Sequence, residues 1–311
     1  MSAEAARPRR RRRGGGRASV VAPYLFMAPA ALMFVLFLLL PIGYAIYLSL
    51  RASKVQGGII GTRVEQFVGL ENYREALSDP ELLDSLGRLA IYGGLVVPIM
   101  LGLALLFALL LDSPVVRLGR FSRVAIFMPY AVPGVIATLL WGFIYLPDLS
   151  PINDLLALVG LPEANFFGNR SIFGSVANIA IWGGVGFNML VMFTALKSVP
   201  RELYDAARVD GASEVQLALK IKVPLITPAL VMTAIFSLIA TLQVFSEPQT
   251  LLPLSNVLSS TWVPLMKVYS DAFIENDVYS AAATSVVLAA FTLALSAVVL
   301  RAVQSKMFRE D

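Results

Sequence analysis

Six long apolar runs dominate the pattern of hydrophobic and polar positions along this chain of 311 residues. A bilayer core about 30 Å thick is crossed by roughly 20 helical residues, and each run is long enough to cross it. The first run contains Pro29 and Pro41, so we expect its helix to start or bend at a proline. The pattern predicts an all-α integral membrane protein with six transmembrane helices, at approximately residues 20–50, 86–111, 124–146, 172–196, 225–245 and 281–303.

Composition supports a membrane protein and excludes several kinds of enzyme. The chain is 57% hydrophobic and 15% charged, with a mean hydropathy of +0.74. It has no cysteine and no histidine, which excludes Ser-His-acid and Cys-His catalysis and the usual zinc clusters. No lysine follows a glycine, so the phosphate-binding Gly-Lys-Ser/Thr loop of an ATPase is absent from the sequence. We therefore expect no enzymatic activity, no metal and no cofactor in this chain.

Basic residues gather in every second loop, and such residues are retained on the cytoplasmic side of a membrane. Acidic residues dominate the loops between them, although the first of those loops is mixed. Both termini are therefore predicted to be cytoplasmic, together with residues 198–224. The basic residues are Arg7, the five arginines at 9–13 and Arg17; Arg117, Arg120 and Arg123; Lys197, Arg201, Arg208, Lys220 and Lys222; and Arg301, Lys306 and Arg309.

The net charge of +4 comes from the amino-terminal tail. Without the seven arginines of this tail the chain has 18 basic and 21 acidic residues, a balance of −3. We predict that residues 1–19 form a disordered, Arg-rich cytoplasmic tail that lies on the anionic headgroups of membrane lipid. A protein-docking role is the alternative for this tail, and no nucleic acid is expected as a partner.

A polar segment at residues 198–224 separates the fourth and fifth apolar runs. Pro200 and Glu202 suit the first turn of a helix, and Gly211 is a natural stop. We expect a short amphipathic helix between them, with Asp205 able to pair with Arg201 or Arg208 on its polar face. An ordinary basic loop with an incidental helix is the alternative. The predicted apolar face consists of Leu203, Ala206 and Ala207.

The order of residues in this segment resembles the cytoplasmic coupling motif of permease subunits in ATP-binding-cassette (ABC) importers. The chain reads Asp205-Ala-Ala-x-x-Asp210-Gly211-Ala212 and then, after eight residues, Ile221-x-Val-Pro224. The family usually has an acid, Ala-Ala-x-x-Asp-Gly-Ala, and Ile-x-Leu-Pro at the same spacing. The resemblance implies a type I importer fold and a coupling helix that contacts a separate ATPase, which binds ATP and Mg. The residues implied in that contact are Glu202, Asp205, Ala206, Ala207, Asp210, Gly211, Ala212 and Pro224.

The fourth and fifth runs carry polar residues and helix breakers that lipid tolerates only where protein or water covers them. In the fourth run the polar residues and glycines could unwind the helix toward a ligand, or the glycines could allow close helix packing. Both alternatives stay open. In the fifth run Gln243 and Glu247 share one helix face at i, i+4. A Glu247 that simply meets water at the membrane surface is the alternative there. The fourth-run residues are Asn178, Trp182, Gly183, Gly184, Gly186 and Asn188.

The stretch from Leu242 to Pro248 also resembles the corresponding segment of permeases for di- and oligosaccharides. The usual Thr-Gly-Gly-Gly-Pro after it is replaced by Leu251-Leu-Pro-Leu-Ser255. This resemblance implies a sugar that is bound by amide and carboxylate groups and covered by aromatic rings. The residues it points to are Trp182, Gly184, Phe187, Asn188, Gln243 and Glu247.

Together these resemblances imply the permease subunit of an ATP-driven, binding-protein-dependent sugar importer in a bacterial or archaeal cytoplasmic membrane. The implied partners are a second homologous permease, a cytoplasmic ATPase dimer and an extracytoplasmic solute-binding protein. A glycerol phosphate ester or a polyamine is an alternative solute. A phosphate ester should require arginines in the pathway, and no arginine lies in the middle of an apolar run. An ion-coupled secondary transporter is the alternative from another class.

Overall fold

The computed structural model describes residues 17–56, 62–113, 116 and 118–307, and most of the predicted tail, residues 1–16, lies outside them. Five helical stretches in this part of the chain are long and apolar enough to cross a membrane, and a bent pair of helices supplies a sixth. The predicted all-α membrane fold is therefore confirmed. The five stretches are Pro23–Ser49, Pro80–Asp112, Ile172–Ser198, Thr227–Leu254 and Val278–Arg301.

The elements follow one another in chain order. The α-helices and strands are α1 (Arg17–Phe34), α2 (Leu40–Ser49), β1 (Arg51–Gln56), β2 (Thr62–Phe67), α3 (Glu71–Ser78), α4 (Pro80–Asp112), α5 (Gly119–Phe127), α6 (Gly134–Tyr145), α7 (Pro151–Leu158), α8 (Ile172–Ser198), α9 (Arg201–Val209), α10 (Glu214–Leu217), α11 (Val223–Leu225), α12 (Thr227–Leu242), α13 (Ser246–Leu251), α14 (Pro264–Tyr269) and α15 (Val278–Met307). Short 3₁₀ segments lie at Met128–Ala131, Pro147–Leu149 and Leu252–Leu254, and π-helical turns lie at Val35–Leu39, Ala218–Lys222 and Ser270–Ile274.

The first membrane helix runs through its prolines, Pro23, Pro29 and Pro41. A π-helical turn, Val35–Leu39, stands directly before Pro41 and joins α1 to α2. Proline lacks an N–H and its ring crowds the carbonyl four residues earlier, and a wider turn at this point accommodates both effects. The expected start or bend is therefore a change of helix type within one long helix.

The first connection after this helix contains a β-hairpin that adds to the predicted helical fold. Strands β1 and β2 pair antiparallel, with Arg51 opposite Phe67 and Gln56 opposite Thr62. Asn72 of α3 donates from its amide to the carbonyl oxygens of Ser49 (2.8 Å) and Arg51 (2.6 Å), which ties the hairpin to the end of the membrane helix. Charged residues alternate with apolar ones here, so a search for apolar runs does not detect these strands.

The third membrane segment is broken. Helices α5 and α6 meet at 97° across residues 128–133. Pro133 has no N–H to donate and pushes Val132 into an extended conformation (ψ 126°). The predicted continuous span at residues 124–146 is therefore two short helices with an elbow between them.

The fifth membrane segment is interrupted as well. Helix α12 ends at Leu242, and the chain resumes as α13 at Ser246. Between them Phe245 adopts a non-helical conformation (φ −150°, ψ −53°). The i, i+4 spacing of Gln243 and Glu247 predicted that they share one helix face. This prediction is wrong, because the helix is interrupted between them.

Helix α8, in contrast, is continuous, and its glycines serve close packing. A Cβ atom on Gly186 would lie 2.2 Å from the carbonyl oxygen of Ile126 and 2.7 Å from the Cα of Phe127. A Cβ atom on Gly184 would lie 2.9 Å from the side chain of Met100 in α4. The broken segment and α4 can approach α8 only because these positions have no side chain. Of the two alternatives for the fourth run, the structure adopts close packing.

The end of the bundle that holds the hairpin is closed by buried charges. Lys267 of α14 forms salt bridges with Asp79 (3.0 Å) and with Asp271 (2.8 Å). Burial opposes the charge on Lys267, but the hydrogen bonds and charges of the two carboxylates outweigh this effect and raise its pKa. Arg88 donates from Nε to the carbonyl oxygen of Trp262 (2.8 Å). These contacts fix α14 and the loop before it on α4.

At the opposite end, one carboxylate joins three membrane helices. Asp112 is the last residue of α4, and its two oxygens accept from Lys197 of α8 (2.7 Å) and from Lys222 (2.6 Å), which precedes α12. The Lys222 side chain is only 6% exposed, whereas that of Lys197 is 47% exposed. Asp112 therefore compensates a buried charge where residues 198–224 meet the bundle.

We predict that Gly186→Ala destabilises the protein by about 1–3 kcal/mol, because its methyl group would collide with the backbone of α5 and not with a movable side chain. Thermal unfolding of the detergent-solubilised protein measures this change. Gly174→Ala is the matched control on the same helix, since a Cβ there meets nothing within 4 Å, and helix propensity favours alanine by about 1 kcal/mol. Equal melting temperatures for the two variants would contradict the packing role.

We also predict that Asp112→Ala destabilises the protein by about 3–5 kcal/mol, because it leaves Lys222 buried without a carboxylate. Lys197→Gln is the control. It removes only the exposed partner and should cost about 1 kcal/mol or less. Chemical unfolding followed by tryptophan fluorescence measures both, and similar losses in the two variants would refute the assignment of the buried pair.

Candidate functional site

The polar segment after α8 is built around a short helix with a sharp stop. Helix α9 begins after Pro200, whose extended backbone (ψ 133°) turns the chain out of α8. At its other end Gly211 has a φ of +86°, which side chains disfavour. The N–H of Gly211 donates to Arg208 (3.0 Å) and that of Ala212 to Ala207 (3.0 Å), the two hydrogen bonds of a Schellman cap. This cap reverses the chain after α9.

A second cap starts the return of the chain toward the bundle. The Ser213 hydroxyl accepts from the N–H of Gln216 (3.3 Å), and the Gln216 side chain accepts from the N–H of Ser213 (2.9 Å). This capping box begins α10, which continues through the π-helical turn to Pro224 and α12. Residues 198–224 therefore have a defined structure and are not an irregular loop.

The buried face of α9 differs from the predicted one. Tyr204 and Ala207 are buried against Leu217, whereas Leu203 and Ala206 are exposed. The Tyr204 ring lies 4.9 Å from the Lys222 ammonium, and this cation–π contact stabilises the inward orientation of Tyr204. Of the predicted face Leu203, Ala206 and Ala207, only Ala207 points into the protein.

The charged face of α9 is held by Arg208. Its guanidinium lies 3.1 Å from Asp205 and 2.9 Å from Glu214. The hydrogen bond that Arg208 donates to Glu214 lowers the pKa of the Glu214 carboxyl and raises the pKa of the Arg208 guanidinium. Of the two partners predicted for Asp205, the structure pairs it with Arg208 and not with Arg201.

The predicted coupling residues therefore divide into an outward group and an inward group. Ala207 is buried and Ala212 is half-buried, so these two support the turn. The outward group presents carboxylates and small residues around the tip of the segment. Its members, all exposed, are Glu202, Asp205, Ala206, Asp210, Gly211 and Pro224.

An open cavity of about 550 Å³ lies where both broken segments meet α8. Trp182 does not line it and packs edge-on against Trp141, with 6.0 Å between ring centroids. The other five predicted pathway residues line the cavity: Gly184, Phe187, Asn188, Gln243 and Glu247.

The amide of Asn188 forms part of the cavity wall, and its polar atoms are engaged there. Its Nδ2 donates to the carbonyl oxygen of Gly184 (3.1 Å) and contacts the sulfur of Met100 (3.2 Å). Its Oδ1 accepts from the Ser237 hydroxyl (3.4 Å). Asn188 thus joins α4, α8 and α12, while Gln243, which is exposed, has its amide available to a solute.

An aromatic surface faces these polar groups, and the sequence did not reveal all of it. Tyr130 stacks on Phe187 with 5.0 Å between centroids and 20° between planes. It stands on the elbow of the broken third segment, between Pro129 and Pro133. The signal that could have identified it was an aromatic residue between two prolines within an apolar run. Tyr92 and Phe245 add further rings to the lining.

The cavity carries a single charged side chain. Glu247 lies at the start of α13, and among the described lining residues there is no arginine and no lysine. Glu247 is half-buried. The arrangement offers an amide, a carboxylate and hydroxyl groups opposite aromatic rings, a combination that binds polyhydroxylated solutes.

Comparisons with known proteins identify the family of the chain. Residues 81–308 match the profile of the family described as "Binding-protein-dependent transport system inner membrane component". The chain is 31% identical to the sn-glycerol-3-phosphate transport permease UgpA of Salmonella typhimurium, over 92% of this chain and 95% of that protein. It is 30% identical to the diacetylchitobiose uptake permease NgcF of Streptomyces coelicolor, over 96% and 86% of the two chains.

A solved structure has the same fold. A chain of a bacterial ABC transporter that imports the acidic polysaccharide alginate superposes with a TM-score of 0.78, over 93% of this chain and 97% of that chain, at 18% identity. The family profile covers most of the chain and the curated relatives nearly all of it. The chain therefore belongs to the family of inner membrane components of binding-protein-dependent transport systems.

Proposed function

We propose that this chain is the non-catalytic permease subunit of an ATP-driven importer and forms the membrane path of a neutral di- or oligosaccharide. The observation that carries the proposal is the cavity, in which Gln243 and Glu247 face the stacked rings of Tyr130 and Phe187. Planar amide and carboxylate groups can bond pairs of sugar hydroxyls, while aromatic rings cover the apolar face of a sugar. The similarity to a diacetylchitobiose permease supports this solute class.

The charge of the cavity favours a sugar over a glycerol phosphate ester. UgpA relatives are named for glycerol phosphate, yet the described lining of this cavity has no cation to pair with a phosphate. Its one charge, that of Glu247, would repel such an anion. A polyamine would be attracted by this carboxylate, but a single carboxylate among aromatic and hydroxyl groups suits a neutral polyhydroxylated solute better.

Residues 198–224 would receive force from a cytoplasmic ATPase dimer. The exposed carboxylates and small residues of α9 suit contact with a partner protein. Tyr204, Ala207 and Lys222 pack the inner face of the segment against the rest of the protein. In this arrangement both termini are cytoplasmic, a second homologous permease completes the path, and an extracytoplasmic binding protein delivers the sugar. Closure of the ATPase would move α9 and, through it, α8.

Gly211→Pro tests the coupling role, because proline's fixed φ of about −65° is incompatible with the Schellman cap. We expect at least a tenfold loss of ATPase that co-purifies with the permease after gentle detergent extraction. Gly160→Pro is the matched control: Gly160 also has a positive φ (+74°) but follows α7, far from α9 in sequence. Equal recovery of ATPase with both variants, at equal membrane levels, would overturn the coupling role.

Gln243→Ala tests the solute site. Uptake by membrane vesicles that contain the whole importer is measured with labelled maltose, diacetylchitobiose and glycerol 3-phosphate. We expect about a tenfold loss of sugar uptake, because an amide that bonds sugar hydroxyls is removed, and no uptake of glycerol 3-phosphate by the native protein. The control Gln249→Ala changes the same residue type outside the cavity lining. Robust uptake of glycerol 3-phosphate by the native protein would refute the sugar assignment.

A further inference from the structure

A second cavity, of about 510 Å³, lies between α9 and the ends of the membrane helices, separate from the solute cavity. Its lining contains six basic and two acidic side chains, which gives a balance of +4. Such an excess in a concave site attracts an anion. The basic residues are Arg120, Arg123, Lys197, Arg201, Arg208 and Lys222, and the acidic ones are Asp112 and Asp205.

Three of the four excess positive charges belong to three arginines, and the fourth arises because one carboxylate, Asp112, pairs with two lysines. Within this lining Asp112 pairs with both lysines, and Asp205 pairs with Arg208. Among the described residues, Arg120, Arg123 and Arg201 form no salt bridge. Arg123 donates from Nε to the carbonyl oxygen of Gly119 (3.0 Å) and stacks over the Phe193 ring at 4.7 Å. Guanidinium groups free of carboxylates match the geometry of a phosphate group.

The position of this pocket corresponds to the headgroup layer of a bilayer. Helix α4 ends at Asp112, α8 ends one residue after Lys197, and α5 begins at Gly119, so three membrane helices end or begin around it. An anion bound here would lie at the boundary between hydrocarbon and water.

Helix α5 offers a place for acyl chains beside the pocket. Arg120 and Arg123, at i, i+3, line the pocket, whereas Phe121 (72% exposed) and Val124 (57% exposed) form another i, i+3 pair that is open to the surroundings. A helix with basic residues on one face and exposed apolar residues on the adjacent face suits a ligand with both a phosphate and hydrocarbon tails.

We propose that this pocket binds the phosphate of an anionic phospholipid from the cytoplasmic leaflet. Since Arg201 belongs to α9 while Arg120 and Arg123 belong to α5, one headgroup would bridge residues 198–224 and the broken third membrane segment. A bound anionic lipid would thereby stabilise the position of the first turn of α9 against α5. The choice of leaflet rests on the proposed orientation, with residues 198–224 in the cytoplasm.

The test uses native mass spectrometry of the full-length permease, purified with the chains that accompany it in gentle detergent. Dioleoyl phosphatidylglycerol and dioleoyl phosphatidylcholine are titrated separately. We expect preferential retention of phosphatidylglycerol, and a loss of its affinity by roughly tenfold or more in the double variant Arg120→Gln with Arg123→Gln. The control, Arg63→Gln with Arg74→Gln, removes the same charge at the opposite end of the bundle and should retain the lipid normally.

Three outcomes would overturn the proposal. The first is equal retention of phosphatidylglycerol by the native protein and the pocket variant. The second is displacement of the lipid by a modest excess of inorganic phosphate, which would identify a site for a free anion. The third is loss of ATPase association in the pocket variant with unchanged lipid retention, which would identify a protein contact.

A further variant guards against misfolding of the double variant. Arg201→Gln changes an exposed residue at the start of α9 and should weaken phosphatidylglycerol binding about fivefold; unchanged affinity there contradicts the proposal too. Lipid retention is measured on the permease itself. Absence of any co-purifying ATPase would therefore count against the proposed function and not against the lipid site.

Discussion

Backbone groups without hydrogen-bond partners cannot face hydrocarbon, and this constraint determines where the membrane helices of this protein can break. The two interruptions, at residues 128–133 and 243–245, both lie beside the same internal cavity. Carbonyl and N–H groups freed by each break are covered by protein or can be solvated inside the cavity. Helices α4 and α8 also line this cavity and are continuous, so a break is possible there but not required. Both breaks therefore lie where protein or water can cover the freed backbone groups.

The close contact between α8 and α5 makes this arrangement possible. Gly186 brings the helix axis of α8 within reach of the backbone at Ile126 and Phe127, immediately before the elbow. With a larger residue at this position the elbow would move outward, and Tyr130 would lose its stacking on Phe187. The aromatic half of the cavity thus depends on a residue that has no side chain.

The sequence predicted the membrane class because hydrophobic run length and bilayer thickness are properties of single segments. Residue type also predicted the stop at Gly211, and the resemblance to sugar permeases pointed to five residues that line the cavity. Prediction failed where the outcome depends on packing between segments. Tyr204 replaces Leu203 on the buried face of α9 because Lys222, eighteen residues later, provides the contact that its ring requires. The choice between unwinding and packing for the glycines of α8 was likewise decided by neighbours in α4 and α5. No local pattern contains that information.

The continuity of α8 gives the two functional regions a mechanical connection. Its 27 residues span about 40 Å at 1.5 Å per residue, with the cavity wall at Asn188 and the turn into α9 at Pro200. Two segments that share the cavity with it are interrupted, at residues 128–133 and 243–245, whereas α8 and α4 are continuous. Displacement of α9 would reach the cavity through Gly184, Phe187 and Asn188, which contact α4, the elbow and α12 respectively. A straight helix between two broken ones therefore suits a protein in which force enters at one end and a binding site must open at a distance.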